Sequence, residues 1–304
     1  MKKVILPLSL LAVLIVIFLF WDKSPTSKEE SLTIKGSDTE VQLVSNLVEA
    51  FLEKNPRANI SVTGGGSGVG IASLLNGEID LANSSRAMEE KELEQAKEKK
   101  LEVGEFILSI DGLSIIVHSE SEVPQLSIDQ LAKIYQGEIT DWKEVGGAQG
   151  KIVLYGRQST SGTYTFFRNF VVKDDYAPSM RSMEGNQAIV DSVISDKNGI
   201  GYVGVGYVKY ENNQPRNDLK VLSISGEAGK AISPLDGEAV KKGEYPITRP
   251  IFQYLPRLPQ KDSLLEKFLR FETSKEGQEI IEKAGFFPIN KEQEEKNQQL
   301  LEKK

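Results

Sequence analysis

Residues 32–75 decide the fold class, and they read LTIKGSDTEVQLVSNLVEAFLEKNPRANISVTGGGSGVGIASLL. A short apolar strand pattern comes first, and a turn of small and polar residues over 36–39 follows it. Apolar residues then recur at helical spacing until Asn55 and Pro56 end the helix. A second strand, a glycine-rich loop over 64–70 and a short apolar helix repeat this order. Two successive strand–turn–helix units predict an α/β fold with mixed sheets flanked by helices.

The rest of the chain predicts two lobes. A β-prone run over 106–117 is broken by Asp111 and Gly112, where we expect the chain to leave one lobe and enter the other. A second β-prone segment over 245–255 is expected to return it. With 304 residues the chain is long enough for two lobes with separate cores. The predicted division is lobe 1 over 32–112 and 246–290, lobe 2 over 113–245, and a polar tail over 291–304 that we expect to be frayed.

The N-terminus predicts export. Lys2 and Lys3 precede an apolar run over 4–21, which as a helix is about 27 Å long and matches the hydrocarbon core of a bilayer. A signal peptide or an uncleaved membrane anchor fits residues 1–21, and the bulky residues at its end, which offer no small-residue cleavage site, favour the anchor. Polar residues 22–31 are typical of a linker. We therefore expect the body outside the cytoplasm, in the periplasm or on the outer face of the cytoplasmic membrane.

Composition argues against several classes of function. The chain has 37 basic and 44 acidic residues, and its net charge of −7 opposes nonspecific binding to nucleic acid. It has no cysteine, which excludes disulfides, thiolate metal sites and cysteine nucleophiles. His118 is the only histidine, and no serine lies in a nucleophile-elbow motif, which argues against a Ser-His hydrolase. We expect a protein that is not an enzyme and uses no metal or cofactor.

Three turns rich in glycine and hydroxyl residues each lead from a predicted strand into a predicted helix. They lie at 36–39, 66–68 and 159–163. Backbone N–H groups and a hydroxyl at the start of a helix form a site suited to an anion. Serine and threonine are also favoured helix caps, so any one turn has a plain structural explanation. Three such turns meeting in one cleft would form a cage for an oxyanion, and Arg157 precedes the third turn with a planar guanidinium suited to the same anion.

The order and spacing of several motifs resemble the phosphate-binding proteins of bacterial phosphate ABC transporters (PstS-like), in the type II periplasmic-binding-protein superfamily. The resemblance covers about 32–290, the whole exported body. It implies two α/β lobes joined by two β-type hinge crossings, with an anion bound between the lobes. The motifs are Ile34-Lys35-Gly36-Ser37, Ser67-Gly68, Ile79-Asp80-Leu81-Ala82, Ser84-Ser85-Arg86, Ile110-Asp111-Gly112-Leu113, Gly156-Arg157, Ser161-Gly162-Thr163, Gly199-Ile200-Gly201-Tyr202-Val203, Tyr245-Pro246-Ile247-Thr248-Arg249-Pro250, Glu276-Gly277-Gln278 and Ala284-Gly285-Phe286.

The resemblance, together with the three turns, supplies a set of candidate ligand residues. Two of them depart from the family, because many relatives have threonine in place of Asp38 and some have an acceptor aspartate in place of Ser85. A carboxylate in a dry site accepts the proton of monohydrogen phosphate and repels sulfate, so we predict that Asp38 supplies it. Asp111 is a second candidate acceptor, although a turn aspartate at the lobe crossover also explains it. The predicted ligand residues are Ser37, Asp38, Thr39, Ser67, Gly68, Ser85, Arg157, Ser161, Gly162 and Thr163.

The sequence therefore predicts a solute-binding protein that takes up inorganic phosphate between two lobes and presents it to the permease subunits of an ABC transporter. The body is expected to be monomeric, with contact to the membrane only through an uncleaved N-terminal segment. One alternative is a membrane-anchored phosphate sensor or adaptor. Another is a binder of sulfate or molybdate, since backbone donors bind any tetrahedral oxyanion.

Overall fold

The structure is a computed structural model that describes residues 30–210, 214–226 and 229–303. The predicted signal peptide or membrane anchor lies outside these residues, as does the predicted linker up to residue 29. Within the described ranges, no helix is both long enough and apolar enough to cross a membrane.

Strands and helices alternate along most of the chain. The strands are β1 (Ser31–Gly36), β2 (Asn59–Thr63), β3 (Leu81–Ser84), β4 (Gly104–Gly112), β5 (Ser114–His118), β6 (Gln125–Ser127), β7 (Val153–Arg157), β8 (Arg181–Met183), β9 (Gly199–Val203), β10 (Leu219–Val221), β11 (Ser223–Ser225), β12 (Ala231–Ile232) and β13 (Thr248–Leu255). The α-helices are α1 (Val41–Lys54), α2 (Ser67–Leu75), α3 (Glu90–Glu98), α4 (Ile128–Gln136), α5 (Gly162–Phe167), α6 (Gly185–Ser195), α7 (Gly237–Lys241), α8 (Leu264–Glu272), α9 (Lys275–Lys283) and α10 (Lys291–Glu302).

The first sheet has the strand order β2-β1-β3-β13-β4. Strand β1 runs parallel to β2 and β3, and β13 runs antiparallel to β3 and β4. Helix α1 belongs to the same core because Leu43, Leu47 and Phe51 recur at helical spacing and are buried. Since β1, β2 and β3 are parallel, their carboxyl ends share one edge of the sheet. The turns that lead into α1 and α2 therefore start from the same edge.

The second sheet has the strand order β10-β5-β9-β7-β8, and a small sheet of order β12-β11-β6 shares its core. Strand β7 runs parallel to β8 and β9, and β5 runs antiparallel to β9 and β10. Helix α6 joins this core through Ile189, Val190 and Val193. The loop from β7 into α5 lies at the carboxyl end of β7.

The passages between the two sheets lie side by side. Strand β4 ends at Gly112 and β5 begins at Ser114, so only Leu113 separates the first sheet from the second. The Leu113 N–H donates to the Ile247 carbonyl at 2.9 Å, and the Tyr245 hydroxyl donates to the Leu113 carbonyl at 2.6 Å. The outgoing chain is therefore hydrogen-bonded to the segment that leads back into β13.

The polar tail is helical over residues 291–302, so the expectation that it is frayed is wrong there. Asn290 and Gln293 form a capping box at the start of α10. The buried Asn297 amide donates to the Ile107 carbonyl at 2.8 Å and accepts from the Ile107 N–H at 2.9 Å. Ile107 lies where the β4–β13 ladder changes register, opposite Phe252. A polar side chain thus anchors the helix by satisfying the backbone of a strand.

Candidate anion-binding site

The turns after β1, β2 and β7 are in direct contact. The Gly66 N–H donates to the Gly36 carbonyl at 2.9 Å, and the Gly68 N–H donates to the Thr160 carbonyl at 3.0 Å. Gly66 has a φ of +96°, and a Cβ atom there would lie 2.5 Å from the Thr160 carbonyl oxygen. Glycine is therefore required for this approach. The three turns selected from the sequence lie together, at the junction between the two sheets.

Four buried hydroxyl groups form a continuous row through this contact, from Thr39 to Thr163, Ser85 and Ser67; we call it the hydroxyl chain. Successive oxygen–oxygen distances are 3.0, 3.4 and 3.3 Å. Thr163 lies in α5, which follows β7 of the second sheet, and the other three follow strands of the first sheet. A Cβ atom at Gly162 would lie only 2.3 Å from Ser67 Oγ, so glycine permits the approach. Both sheets thus contribute hydroxyl groups to one place.

Arg157 and Asp38 form an ion pair across the same contact. Arg157 Nη2 donates to Asp38 Oδ2 at 2.5 Å, and the Gly65 N–H donates to Asp38 Oδ1 at 2.9 Å. The Arg157 side chain is 1% exposed and that of Asp38 is 22% exposed. Among the described residues, Arg157 Nη1 has no hydrogen-bond partner although it is buried. The pair therefore leaves one edge of a buried guanidinium available to a ligand.

The polar groups of Ser37, Gly68 and Ser161 make hydrogen bonds within the protein. The Ser161 hydroxyl accepts from the Tyr164 N–H at 3.4 Å and caps α5. The Ser37 N–H donates to the Asn83 carbonyl at 2.9 Å. The Gly68 N–H is the donor to Thr160 described above. For Ser161, the structure therefore shows the capping role that the sequence left open.

Sequence reasoning missed two residues that contact the hydroxyl chain. Arg249 Nη2 donates to Thr163 Oγ1 at 3.1 Å, and its Nη1 donates to the Ser85 carbonyl at 3.0 Å. Asn186 Nδ2 donates to Thr39 Oγ1 at 3.4 Å. Arg249 had one sequence signal, its place in the Tyr245–Pro250 motif of the resemblance, whereas Asn186 had none.

Asp111, the second candidate acceptor, is fully buried and bound by protein groups. Its Oδ2 accepts from Arg249 Nε at 3.0 Å and from Arg249 Nη2 at 2.8 Å. Its Oδ1 accepts from the Val205 N–H at 2.9 Å. Both carboxylate oxygens of Asp111 are thus engaged, and Asp38 is the carboxylate at the partly exposed edge of the site.

Burial controls the protonation of the groups around these ion pairs. It raises the pKa of Glu40 well above 4.5, although the Ser37 side chain and the charge of Arg249 oppose the shift. Tyr202 accepts from the Arg157 N–H at 3.1 Å, and burial raises the pKa of Tyr202 to about 12. Tyr207 donates to the Asp38 carbonyl at 2.8 Å, and burial raises its pKa too. The two tyrosines are therefore neutral at physiological pH, and their phenol oxygens add no negative charge.

The donor set of the site suits an anion. It combines a guanidinium and hydroxyl groups with a single partly exposed carboxylate. Hard cations such as calcium require several clustered oxygen ligands. Within the part of the chain that the structure describes, no three His, Cys, Asp or Glu side chains lie close enough to hold a metal ion.

Comparison with known proteins assigns the chain to a family. A family model described as the PBP superfamily domain matches residues 23–276. The chain belongs to this superfamily. The phosphate-binding protein PstS of Staphylococcus haemolyticus (strain JCSC1435) is 32% identical over 256 residues, which cover 83% of this chain and 79% of that protein. The PstS of Staphylococcus aureus (strain USA300) is 32% identical over 255 residues, 83% of this chain and 76% of that protein. Within the superfamily, the chain belongs to the PstS-like family.

Solved structures of this family share the fold. A phosphate ABC transporter substrate-binding protein with bound phosphate from Clostridium perfringens aligns with a TM-score of 0.76 and 26% identity, over 86% of this chain and 100% of that chain. An ABC-type phosphate transport receptor from Vibrio cholerae aligns with a TM-score of 0.68 and 26% identity, over 85% of this chain and 100% of that chain. The predicted family and the predicted type II fold class are confirmed.

Proposed function

We propose that the chain binds inorganic phosphate outside the cytoplasm and delivers it to the permease subunits of an ABC transporter. The observation that carries this proposal is the buried Arg157 guanidinium, whose Nη1 has no hydrogen-bond partner among the described residues. A buried cationic donor without a partner is costly unless a ligand satisfies it. The family supports phosphate as that ligand, since the Clostridium perfringens relative was solved with phosphate bound.

In this proposal, phosphate is held by local donors and not by overall charge, since the net charge of the chain is −7. Arg157 Nη1 supplies a charge-assisted hydrogen bond, and the hydroxyls of Thr39, Ser67 and Thr163 supply neutral ones. The starts of α1 and α2 add the positive ends of two helix dipoles.

Asp38 is the proposed source of selectivity for monohydrogen phosphate. Its carboxylate accepts hydrogen bonds from Arg157 and Gly65 and retains lone pairs for the phosphate O–H. Sulfate carries no proton at neutral pH, so its oxygens would face this carboxylate without a hydrogen bond. Asp38, in the turn after β1, would thereby take the role of the aspartate that some relatives have where this chain has Ser85.

We further propose that the two sheets are the cores of two lobes, over 32–112 with 246–290 and over 113–245, that close around the anion. Support comes from the hydroxyl chain, to which both sheets contribute side chains. An anion bound there would contact both lobes, and these contacts would favour the closed arrangement. A permease that recognises the closed arrangement would receive only loaded protein. The body acts in this scheme as a monomeric carrier and not as an enzyme.

Calorimetric titration of the purified protein, freed of phosphate by dialysis, tests the function. Phosphate is expected to bind in a saturable 1:1 manner, and sulfate and molybdate much more weakly. Arg157→Gln is expected to weaken phosphate binding by about 100-fold, because it removes a buried charged donor. Arg216→Gln is the matched control, since Arg216 pairs with Asp218 outside the site. Tight binding of molybdate or sulfate in place of phosphate would change the ligand, and binding of none of the three would refute the proposal.

A further inference from the structure

The Arg249 side chain makes four hydrogen bonds beside the candidate ligand groups and is 1% exposed. Its Nε and Nη2 donate to Asp111, its Nη1 donates to the Ser85 carbonyl, and its Nη2 also donates to Thr163. The ring of Phe166 covers one face of the guanidinium, with its centroid 5.2 Å from Cζ. From its place near the start of β13 in the first sheet, Arg249 therefore contacts groups that follow strands of both sheets.

The bond to Thr163 determines the direction of a hydroxyl proton. A guanidinium can only donate, so Thr163 Oγ1 must accept from Arg249 Nη2. The single proton of Thr163 is then left for an acceptor on the other side. In the hydroxyl chain the available acceptors are Thr39 Oγ1, 3.0 Å away, and Ser85 Oγ, 3.4 Å away, and a bound anion offers a stronger one. A hydroxyl that accepts from a cation is also a stronger donor, because hydrogen bonds in a row polarise one another.

The same contacts tie the site to the segments that join the two sheets. Arg249 lies directly opposite Asp111 in the β4–β13 pair. Asp111 in turn accepts from the Val205 N–H, just after β9 of the second sheet. Ser85 follows β3 of the first sheet. Arg249 therefore contacts Thr163 and Ser85 together only while the loops of the two sheets are in contact.

We propose that Arg249 is a positioning residue for anion binding, which holds Thr163 as a hydrogen-bond donor to the ligand and sets it against Ser85. The proposal rests on the proposed phosphate function of the site. Lysine at this position keeps the positive charge but lacks the planar fork that reaches Asp111, Ser85 and Thr163 at once. The effect of Arg249 on the affinity for phosphate should therefore depend on the presence of the Thr163 hydroxyl.

A double-mutant cycle on the full chain tests this inference, with the phosphate Kd as the readout and the unfolding temperature measured in parallel. Arg249→Lys should raise the Kd about tenfold in the wild-type background, which corresponds to the loss of one oriented hydrogen bond. In the Thr163→Val background, the same substitution should change the Kd less than about twofold, because the hydroxyl that it orients is gone. Its effect on the unfolding temperature should persist in both backgrounds.

Arg86→Lys is the matched control. Arg86 is also buried and forms a two-pronged pair with the Glu92 carboxylate, but its side chain makes no hydrogen bond to the four hydroxyls of the hydroxyl chain. It should lower the unfolding temperature and leave the phosphate Kd within about twofold of wild type. If Arg249→Lys does not fold, the paired change Arg249→Gln with Asp111→Asn replaces it in the cycle, since it leaves no unpaired buried charge.

The outcomes separate this inference from the function on which it rests. Equal increases of Kd in the two backgrounds, or no increase in either, would overturn the positioning role while phosphate binding by the wild type stands. A wild-type protein that does not bind phosphate would overturn the proposed function and the positioning role together.

Discussion

Two arginine–aspartate pairs lie at the junction of the sheets, and they differ in how completely they are satisfied. In the Arg249–Asp111 pair both side chains are at most 1% exposed, and both carboxylate oxygens accept from protein donors. In the Arg157–Asp38 pair the carboxylate is 22% exposed and Arg157 Nη1 has no partner among the described residues. The first pair joins β4 to β13 within the first sheet, and the second joins the turn after β1 to the end of β7, where the two sheets meet.

This difference indicates that one pair has a structural role and the other is able to bind a ligand. A buried ion pair whose donors and acceptors are all engaged has little capacity left for a ligand, so it serves to hold neighbouring groups in place. A pair with a spare donor and a partly solvated carboxylate retains capacity for a ligand. Residue type alone does not distinguish the two pairs, because each consists of one arginine and one aspartate.

The largest expected effect is on stability and separates the pairs directly. Arg249→Gln should lower the free energy of unfolding by about 3–5 kcal/mol, since it leaves the Asp111 carboxylate buried without its charge partner. Arg157→Gln should cost about 1 kcal/mol or less, because Asp38 is partly solvated and keeps the Gly65 N–H. Urea unfolding of the protein without phosphate measures both.

Phosphate added to the same unfolding experiments sharpens the contrast. Saturating phosphate should stabilise the wild type and the Arg216→Gln control by mass action, and should stabilise Arg157→Gln much less. Similar losses of stability for Arg249→Gln and Arg157→Gln in the absence of phosphate would contradict the division between the pairs.

The next effect concerns pH, and it arises from two buried acids, Glu40 near the Arg249–Asp111 pair and Glu272 beside Gln253. Burial raises the pKa of Glu40 well above 4.5 and that of Glu272 to about 8. The folded protein therefore keeps protons that the unfolded chain releases once the pH exceeds about 4.5. The stability that these two acids contribute should be greatest below that pH and fall as the pH rises towards 8, by at most about 1.4 kcal/mol per pH unit for each acid.

Glutamine substitutions test this pH dependence. Glu272→Gln and Glu40→Gln should each flatten the fall in the free energy of unfolding between pH 5 and pH 8, as measured in urea at several pH values. Glu279→Gln, on an exposed face of α9, is the control and should leave the slope as in wild type. A wild-type stability that is level or rises over this range would show that the two acids are ionised in the folded protein.

Local pattern was enough for the first strand–turn–helix units and for the three turns, but not for the tail helix α10 or for the partners of the turns. The residues 36–39, 66–68 and 159–163 carry their own signal, because small residues between a strand and a helix are a local feature. The bonds of Arg249 to Thr163 and Ser85 span 86 and 164 residues of sequence. Asn297 is paired with Ile107 across 190 residues, which is why a tail without an apolar pattern was predicted to be frayed. Such polar contacts form only when distant strands come together, so the periodicity of apolar residues along the sequence does not predict them.

The smallest expected effect is on selectivity, and it tests what the partly exposed carboxylate of the Arg157–Asp38 pair does. Asp38→Asn removes the negative charge that sulfate would face and replaces one acceptor oxygen by an N–H donor. The ratio of the sulfate Kd to the phosphate Kd should therefore fall by about tenfold, the equivalent of one hydrogen bond. Competition titrations with the two anions at pH 7.5 measure the ratio.

The control for this change is an aspartate of the same sheet outside the site. Asp80 accepts from the Thr33 N–H at 2.8 Å, so Asp80→Asn alters a comparable aspartate–backbone bond without touching Arg157. It should leave the ratio of the two dissociation constants unchanged. If Asp38→Asn also leaves it unchanged, Asp38 does not accept the phosphate proton. The other candidate carboxylate, Asp111, is fully buried and already accepts three hydrogen bonds from Arg249 and the Val205 N–H. The acceptor would then be a hydroxyl or carbonyl oxygen, and discrimination against sulfate would not depend on a carboxylate at all.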